Sequence, residues 1–140
     1  MTVFSYGLSL DPHRAADEMV MWYDVYGKTG ENIGYKLLFD MKSGSCNPWE
    51  IGEIVWNINE FLRCKNIPFY QGIHCNTKRE YNHPHAHIVF SAIYPMSGMK
   101  VHVNHAFIID YKQYANYVLF KKGLPLIKIG VKSLPFKVLL

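Results

Sequence analysis

The segment His83-Pro-His85-Ala-His87-Ile-Val-Phe90 constrains the fold more than any other part of this chain. Histidine alternates with smaller residues and then runs into a β-branched and aromatic stretch, which predicts a strand over 85–94. Residues two apart on a strand project from the same face, so His85 and His87 share one side. Imidazole packs poorly on a strand unless its nitrogens have partners, so that side is expected to meet a ligand. The apolar run from Phe69 to Cys75 forms a preceding strand, and pairing of the two sets His74 beside the other imidazoles.

The remaining segments supply the framework. Asp11-Pro12 provides an N-cap and a first helical residue, and Ala15, Met19, Trp22, Tyr23 and Tyr26 recur at intervals of three and four. This predicts an amphipathic helix over 12–26, stopped by Gly27-Lys-Thr-Gly30. Ile33, Tyr35, Leu37 and Phe39 then alternate with Gly34, Lys36, Leu38 and Asp40 at the period of a half-buried strand. Asn47-Pro48-Trp49-Glu50 has the pattern of a capping box and opens a second helix with an apolar stripe through Ile51, Ile54, Val55, Ile58, Phe61 and Leu62. Pro95-Met-Ser-Gly98 predicts a turn, residues 99–103 a returning antiparallel strand, and about 106–122 a third helix ending before Gly123 and Pro125. The expected order is strand, helix, strand, helix, three strands, helix. This is an α+β (α/β) reading of a single domain over 1–140, with the tail 131–140 left unassigned.

Composition narrows the function classes. In 140 residues, 49% hydrophobic, there is enough apolar surface for one core and little for a second. No apolar run approaches the ~20 residues of a membrane span, and the N-terminus lacks the pattern of a secretory signal. The three cysteines, Cys46, Cys64 and Cys75, are odd in number and without CxxC spacing, which favours a reducing, cytoplasmic setting over a disulfide framework. Charge is polarised: residues 1–60 carry nine acids and four bases, whereas 61–140 carry eleven bases and two acids. A basic second half suits a polyanionic partner.

Of the seven histidines, His74, His85 and His87 are the candidate metal ligands. Three neutral imidazoles on a rigid sheet, with positions left for water or phosphate oxygens, fit a catalytic divalent-metal site. His83, just outside the strand, is either a supporting group or a surface residue; His13, His102 and His105 are not expected to be ligands. Gly27-Lys28-Thr29 lacks the spacing of a phosphate-binding loop and follows a helix rather than a strand, which excludes nucleoside triphosphate binding on that motif.

Taken together, Tyr26-Gly-Lys-Thr-Gly30, Gly34-Tyr35-Lys36, the capped helix from Asn47, Gly72-Ile73-His74, the histidine strand, Ser97-Gly98-Met99-Lys100 and Lys122-Gly123-Leu124-Pro125 resemble the relaxase, or mobilization nuclease, proteins of plasmids and integrative elements. The resemblance runs from about Tyr6 to Lys128. It implies a metal-dependent endonuclease and strand transferase of the HUH class acting on single-stranded DNA at an origin of transfer, on a mostly antiparallel sheet flanked by about three helices. It further implies Mg²⁺ or Mn²⁺ on His74, His85 and His87, a tyrosine–DNA covalent intermediate, and accessory mobilization proteins as partners. Such relatives place the nucleophile in a segment preceding the region of Tyr6, and this chain starts five residues before it, which reads as a shortened N-terminus. The tyrosine candidates are therefore Tyr6 and, on the later helix, Tyr111 and Tyr114. Relatives also commonly carry aspartates where Lys78, Arg79 and Glu80 stand here.

Two alternatives accompany this reading. One is a non-cleaving, DNA-binding remnant of such a protein. In that reading Lys100, Lys112, Lys121, Lys122, Lys128 and Lys132 track the phosphate backbone, while tyrosines stack on bases; for the nuclease reading the candidate DNA-binding residues are Lys78, Arg79, Lys100, Lys112, Lys121 and Lys122. The other is a histidine-triad nucleotide hydrolase, whose short signature the alternating histidines also satisfy.

Overall fold

Asp11 begins the first helix as its pattern requires: the carboxylate accepts from the backbone N–H groups of His13 and Arg14, and Pro12 enters the first turn. In the computed structural model, which describes residues 2–28, 32–40, 47–75, 84–128 and 137–139, that helix is α1 (Pro12–Val25). It follows strand β1 (Thr2–Tyr6) and precedes β2 (Gly34–Asp40). Asn47 caps α2 (Pro48–Ile58) by accepting from the Glu50 backbone N–H, while the Glu50 carboxylate accepts from the Asn47 side-chain amide. The cap therefore closes on itself through side chains. Next come α3 (Glu60–Cys64), β3 (Phe69–Cys75), β4 (Pro84–Ser91), α4 (His105–Lys121) and β5 (Lys137–Leu139).

The expected second helix is interrupted at Asn59. Its side chain is fully buried in a polar chain instead of lying on a helix surface: Tyr111 Oη donates to Asn59 Oδ1, Asn59 Nδ2 donates to Gln71 Oε1 at 2.9 Å, and Gln71 Nε2 donates to the Gly52 carbonyl at 3.0 Å. These bonds tie α2, α4 and β3 together inside the apolar core. The Asn59 and Gln71 amide groups and the Tyr111 hydroxyl all find partners in this way, which removes most of their desolvation cost.

The sheet has the order β1-β3-β4-β2-β5, with antiparallel pairing throughout except for β5, which lies parallel to β2. One face is the core. Phe39, Phe69, Ile73, Ile88 and Phe90 project from it and are sealed by Ile51, Val55 and Ile58 of α2 and by Ala115 and Leu119 of α4. Burying an aromatic or branched aliphatic side chain in this way stabilises by roughly 1.5–3 kcal/mol each. The opposite face carries α1. Gly34 allows the close approach of that helix, because a side chain there would collide with the Met19 methyl and the Phe90 carbonyl.

The returning strand expected over 99–103 is reduced to a single antiparallel bridge, Ile93 to Lys100. Tyr94 N–H donates to the Met99 carbonyl and Val101 N–H to the Ala92 carbonyl, closing a tight hairpin. Asn104 already caps α4 three residues beyond Val101, so the chain leaves the ladder before a strand can extend. At the tip, Gly98 has φ +74, and a side chain there would strike the Tyr26 ring, whose hydroxyl donates to the Pro95 carbonyl. Within the unassigned tail, Lys137–Leu139 extends the sheet beside β2.

Candidate functional site: a histidine cluster on the open sheet face

Register builds the cluster. His74 on β3 lies directly opposite His85 on β4, and His87 lies opposite Gly72. Directly paired residues share a face, so all three imidazoles project from the side away from the core. The ring centroids stand 4.9 Å apart for His74 and His85, 5.0 Å for His85 and His87, and 6.2 Å for His74 and His87. Imidazoles sharing one ion through bonds of ~2.1 Å have centroids about 4.5–5.3 Å apart. Two of the three spacings fit this range and the third is longer. Among the described residues, no three His, Cys, Asp or Glu side chains meet the closed geometry of an ion cage. The rings are gathered at one end of the sheet, with the His74–His87 pair the most widely spaced.

The chemistry of the donors suits a divalent ion. Burial lowers the pKa of His87, assisted by the positive charge of Lys36 and by the neighbouring His85 and His74, which favours the neutral ring that a metal requires. His74 is exposed, and His85 and His87 are half-buried, so the cluster is reached from solvent. Asp40, on β2, is paired in register with His85 and buried on the same face. Neither Lys36 nor Asp40 was singled out from the sequence; the signal was present in the even-numbered positions of β2, which project to the histidine side.

A cavity of about 570 Å³ runs from the cluster beneath α1. Its walls are apolar on the helix side, through Ala15, Ala16 and Met19, and Val89 continues them on the sheet; His74, His87 and Lys36 stand on the sheet as well. Tyr70 also lines it, with its hydroxyl donating to the Leu10 carbonyl at 3.2 Å. Burial and the charge of Asp11 raise the Tyr70 pKa.

The tyrosines expected as nucleophiles are not brought to this cluster. Tyr6 pairs with Phe69 on the core face, five positions or about 17 Å along β3 from His74. Tyr111 is 2% exposed on the core side, bonded to Asn59 and in contact with the Phe39 and Phe61 rings; burial drives its pKa well above the usual phenol value. Tyr114 lies on the same helix, against Phe61 and Tyr117, with its pKa raised by burial and by Glu60. The later helix thus packs on the side of the sheet away from the imidazoles. The aromatic spacing that made Tyr111 and Tyr114 candidates serves packing.

The basic residues divide similarly. Lys112 is only 5% exposed, so its ammonium is not presented on the surface as a backbone-tracking role requires. Lys121 and Lys122 border a separate concavity of about 460 Å³ with Arg63, Tyr114 and Tyr117, on the helical side. Lys100 is exposed, with its ammonium 5.8 Å from the centre of the Tyr23 ring. His83, Lys78, Arg79 and Lys132 lie outside the described residues.

Fold and cluster together define an α+β protein that gathers imidazoles on the open face of an antiparallel sheet. The chain belongs to the relaxase family: the family model described as MobA/VirD2-like, nuclease domain, matches residues 1–124. This family acts in mobilization by nicking DNA, and its nuclease domains generally depend on a divalent metal. Comparisons with curated proteins and with solved structures give no match. The histidine-triad hydrolase reading has no support beside the family assignment. Among the described residues, no helix is long and apolar enough to cross a membrane.

Proposed function

We propose that this chain nicks single-stranded DNA at the origin of transfer of a plasmid or other mobile element and transfers the strand through a tyrosine–DNA intermediate. In this reading His74, His85 and His87 hold Mg²⁺ or Mn²⁺. The observation that carries it is the gathering of three imidazoles, within 6.2 Å of one another, on the open sheet face of a relaxase-family chain.

A divalent ion supplies a Lewis acid for the scissile phosphate when bound. The remaining work belongs to the chain. Rigid pairing of β3 with β4 holds the imidazoles in place, so little ordering is needed when DNA binds. Lys36 adds a positive charge beside His87 that attracts a phosphate oxygen. Lys78, Arg79, Lys100, Lys121 and Lys122 are the proposed further contacts to the DNA backbone, and accessory mobilization proteins are the proposed partners. The odd, unpatterned cysteine count supports a cytoplasmic setting.

The test is to incubate the chain with labelled single-stranded origin DNA and Mn²⁺, isolate any covalent product and map the modified residue. A chelator-sensitive adduct on a tyrosine is expected, and the mapped position assigns the nucleophile. Full activity of His85→Ala would refute the metal assignment. The distance of Tyr6, Tyr111 and Tyr114 from the imidazoles favours a second reading, in which the chain binds DNA without cleaving it. Salt-sensitive binding with no adduct under any metal would select that alternative.

A further inference from the structure

The cavity beneath α1 joins two unlike environments. At its mouth stand the exposed Lys36, whose ammonium suits an anion, and the His74 and His87 rings. Its interior is walled by Ala15, Met19 and Val89, and Gly72, having no side chain, adds nothing to fill the floor opposite His87. The Tyr70 hydroxyl is already engaged by the Leu10 carbonyl, so the ring, rather than a free polar group, faces this end. At about 570 Å³ the space falls within the ~300–1,000 Å³ of sites that enclose small molecules and exceeds what one nucleobase needs.

An occupant must therefore be anionic at one end and flat or apolar at the other, with the two ends directly joined. A nucleotide within a single strand has this form: its phosphate meets Lys36 at the mouth, and its base, once unstacked, enters the apolar slot. Enclosure between apolar side chains is how proteins hold a base withdrawn from its stack.

We propose that the cavity receives one unpaired base of the bound strand, with the adjoining phosphate beside Lys36 at the histidine end. The proposal rests on the DNA-nicking reading and adds to it a base-holding subsite made by α1. Base capture fixes which phosphate lies at the imidazoles, so the helix positions the strand along its own axis. The slot is smooth and apolar, so it accepts bases by shape and stacking surface more than by hydrogen-bond pattern.

Ala16 offers a clean test because it lines the cavity from an exposed position on α1, where a larger side chain blocks the slot without entering the core. The full chain is titrated, at fixed salt, with fluorescein-labelled oligothymidylate of about 12 nucleotides and with an abasic deoxyribose-phosphate polymer of equal length. The wild-type chain is expected to prefer the base-bearing strand by about tenfold. Ala16→Trp should bring that ratio close to one while leaving abasic binding unchanged, and Val20→Trp, from the same exposed wall, should act in the same direction. A preference that survives both substitutions, with each variant melting like wild type, overturns the subsite. Equal binding of both polymers by wild type also overturns it while leaving the DNA reading standing, whereas binding of neither polymer removes the DNA reading itself.

Discussion

On one face of the sheet, Phe39, Phe69, Ile88 and Phe90 are fully buried under α2 and α4; on the other, His74 is exposed, His85 and His87 are half-buried, and α1 roofs a cavity. The two faces are interleaved in sequence, since Ala86, Ile88 and Phe90 alternate with His85, His87 and Val89 along β4. The comparison teaches that stability and chemistry occupy opposite sides of the same strands. A rigid apolar wall behind β3 and β4 holds the imidazoles in register without using them as packing material.

Substitutions on the two faces should therefore have different consequences. The largest effect is expected from His85→Ala: covalent adduct formation should fall by more than the ~10–100-fold typical of losing a ligand's hydrogen-bond support, with urea stability changed by less than about 1 kcal/mol. A large loss of stability with activity retained would mean that the imidazole is a packing element. Ile88→Ala, three positions away but on the other face, should do the reverse. It should cost about 2–5 kcal/mol in a urea melt, while the folded fraction keeps its DNA affinity.

Asn59→Ala sharpens the comparison within the core face by separating polar from apolar contributions. It strands the Tyr111 hydroxyl and Gln71 Oε1 in a dry interior and is expected to cost about 1–3 kcal/mol. A cost within measurement error would show that the buried polar chain is dispensable to the wall. The smallest effect belongs to Asn47→Ala, which removes the α2 cap and should lower stability by about 1 kcal/mol without altering metal-dependent nicking.

Much of the framework was legible because its signals are local. Phe69–Cys75 is the predicted strand with the same bounds, and the caps at Asp11 and Asn47 start their helices where the side chains indicate. The return strand was misread because Met99, Val101 and Val103 alternate like a strand, yet the nearby Asn104 cap draws the chain into α4. The break at Asn59 was hidden for a different reason. The apolar stripe continues through Phe61 and Leu62, and only the buried partners Tyr111 and Gln71 make an asparagine favourable between them.

By itself, the sequence determined that His85 and His87 share a face, because the period of a strand leaves no other arrangement. It also determined that a basic second half follows an acidic first half. The tertiary structure decided which face that was, bringing in His74 through antiparallel register and placing Lys36 and Asp40 on the same side. It also sent Tyr6, Tyr111 and Tyr114 to the opposite side. Alternation specifies two sides of a strand but not which side a helix will cover; that depends on how distant apolar surfaces fit against one another when the whole chain packs.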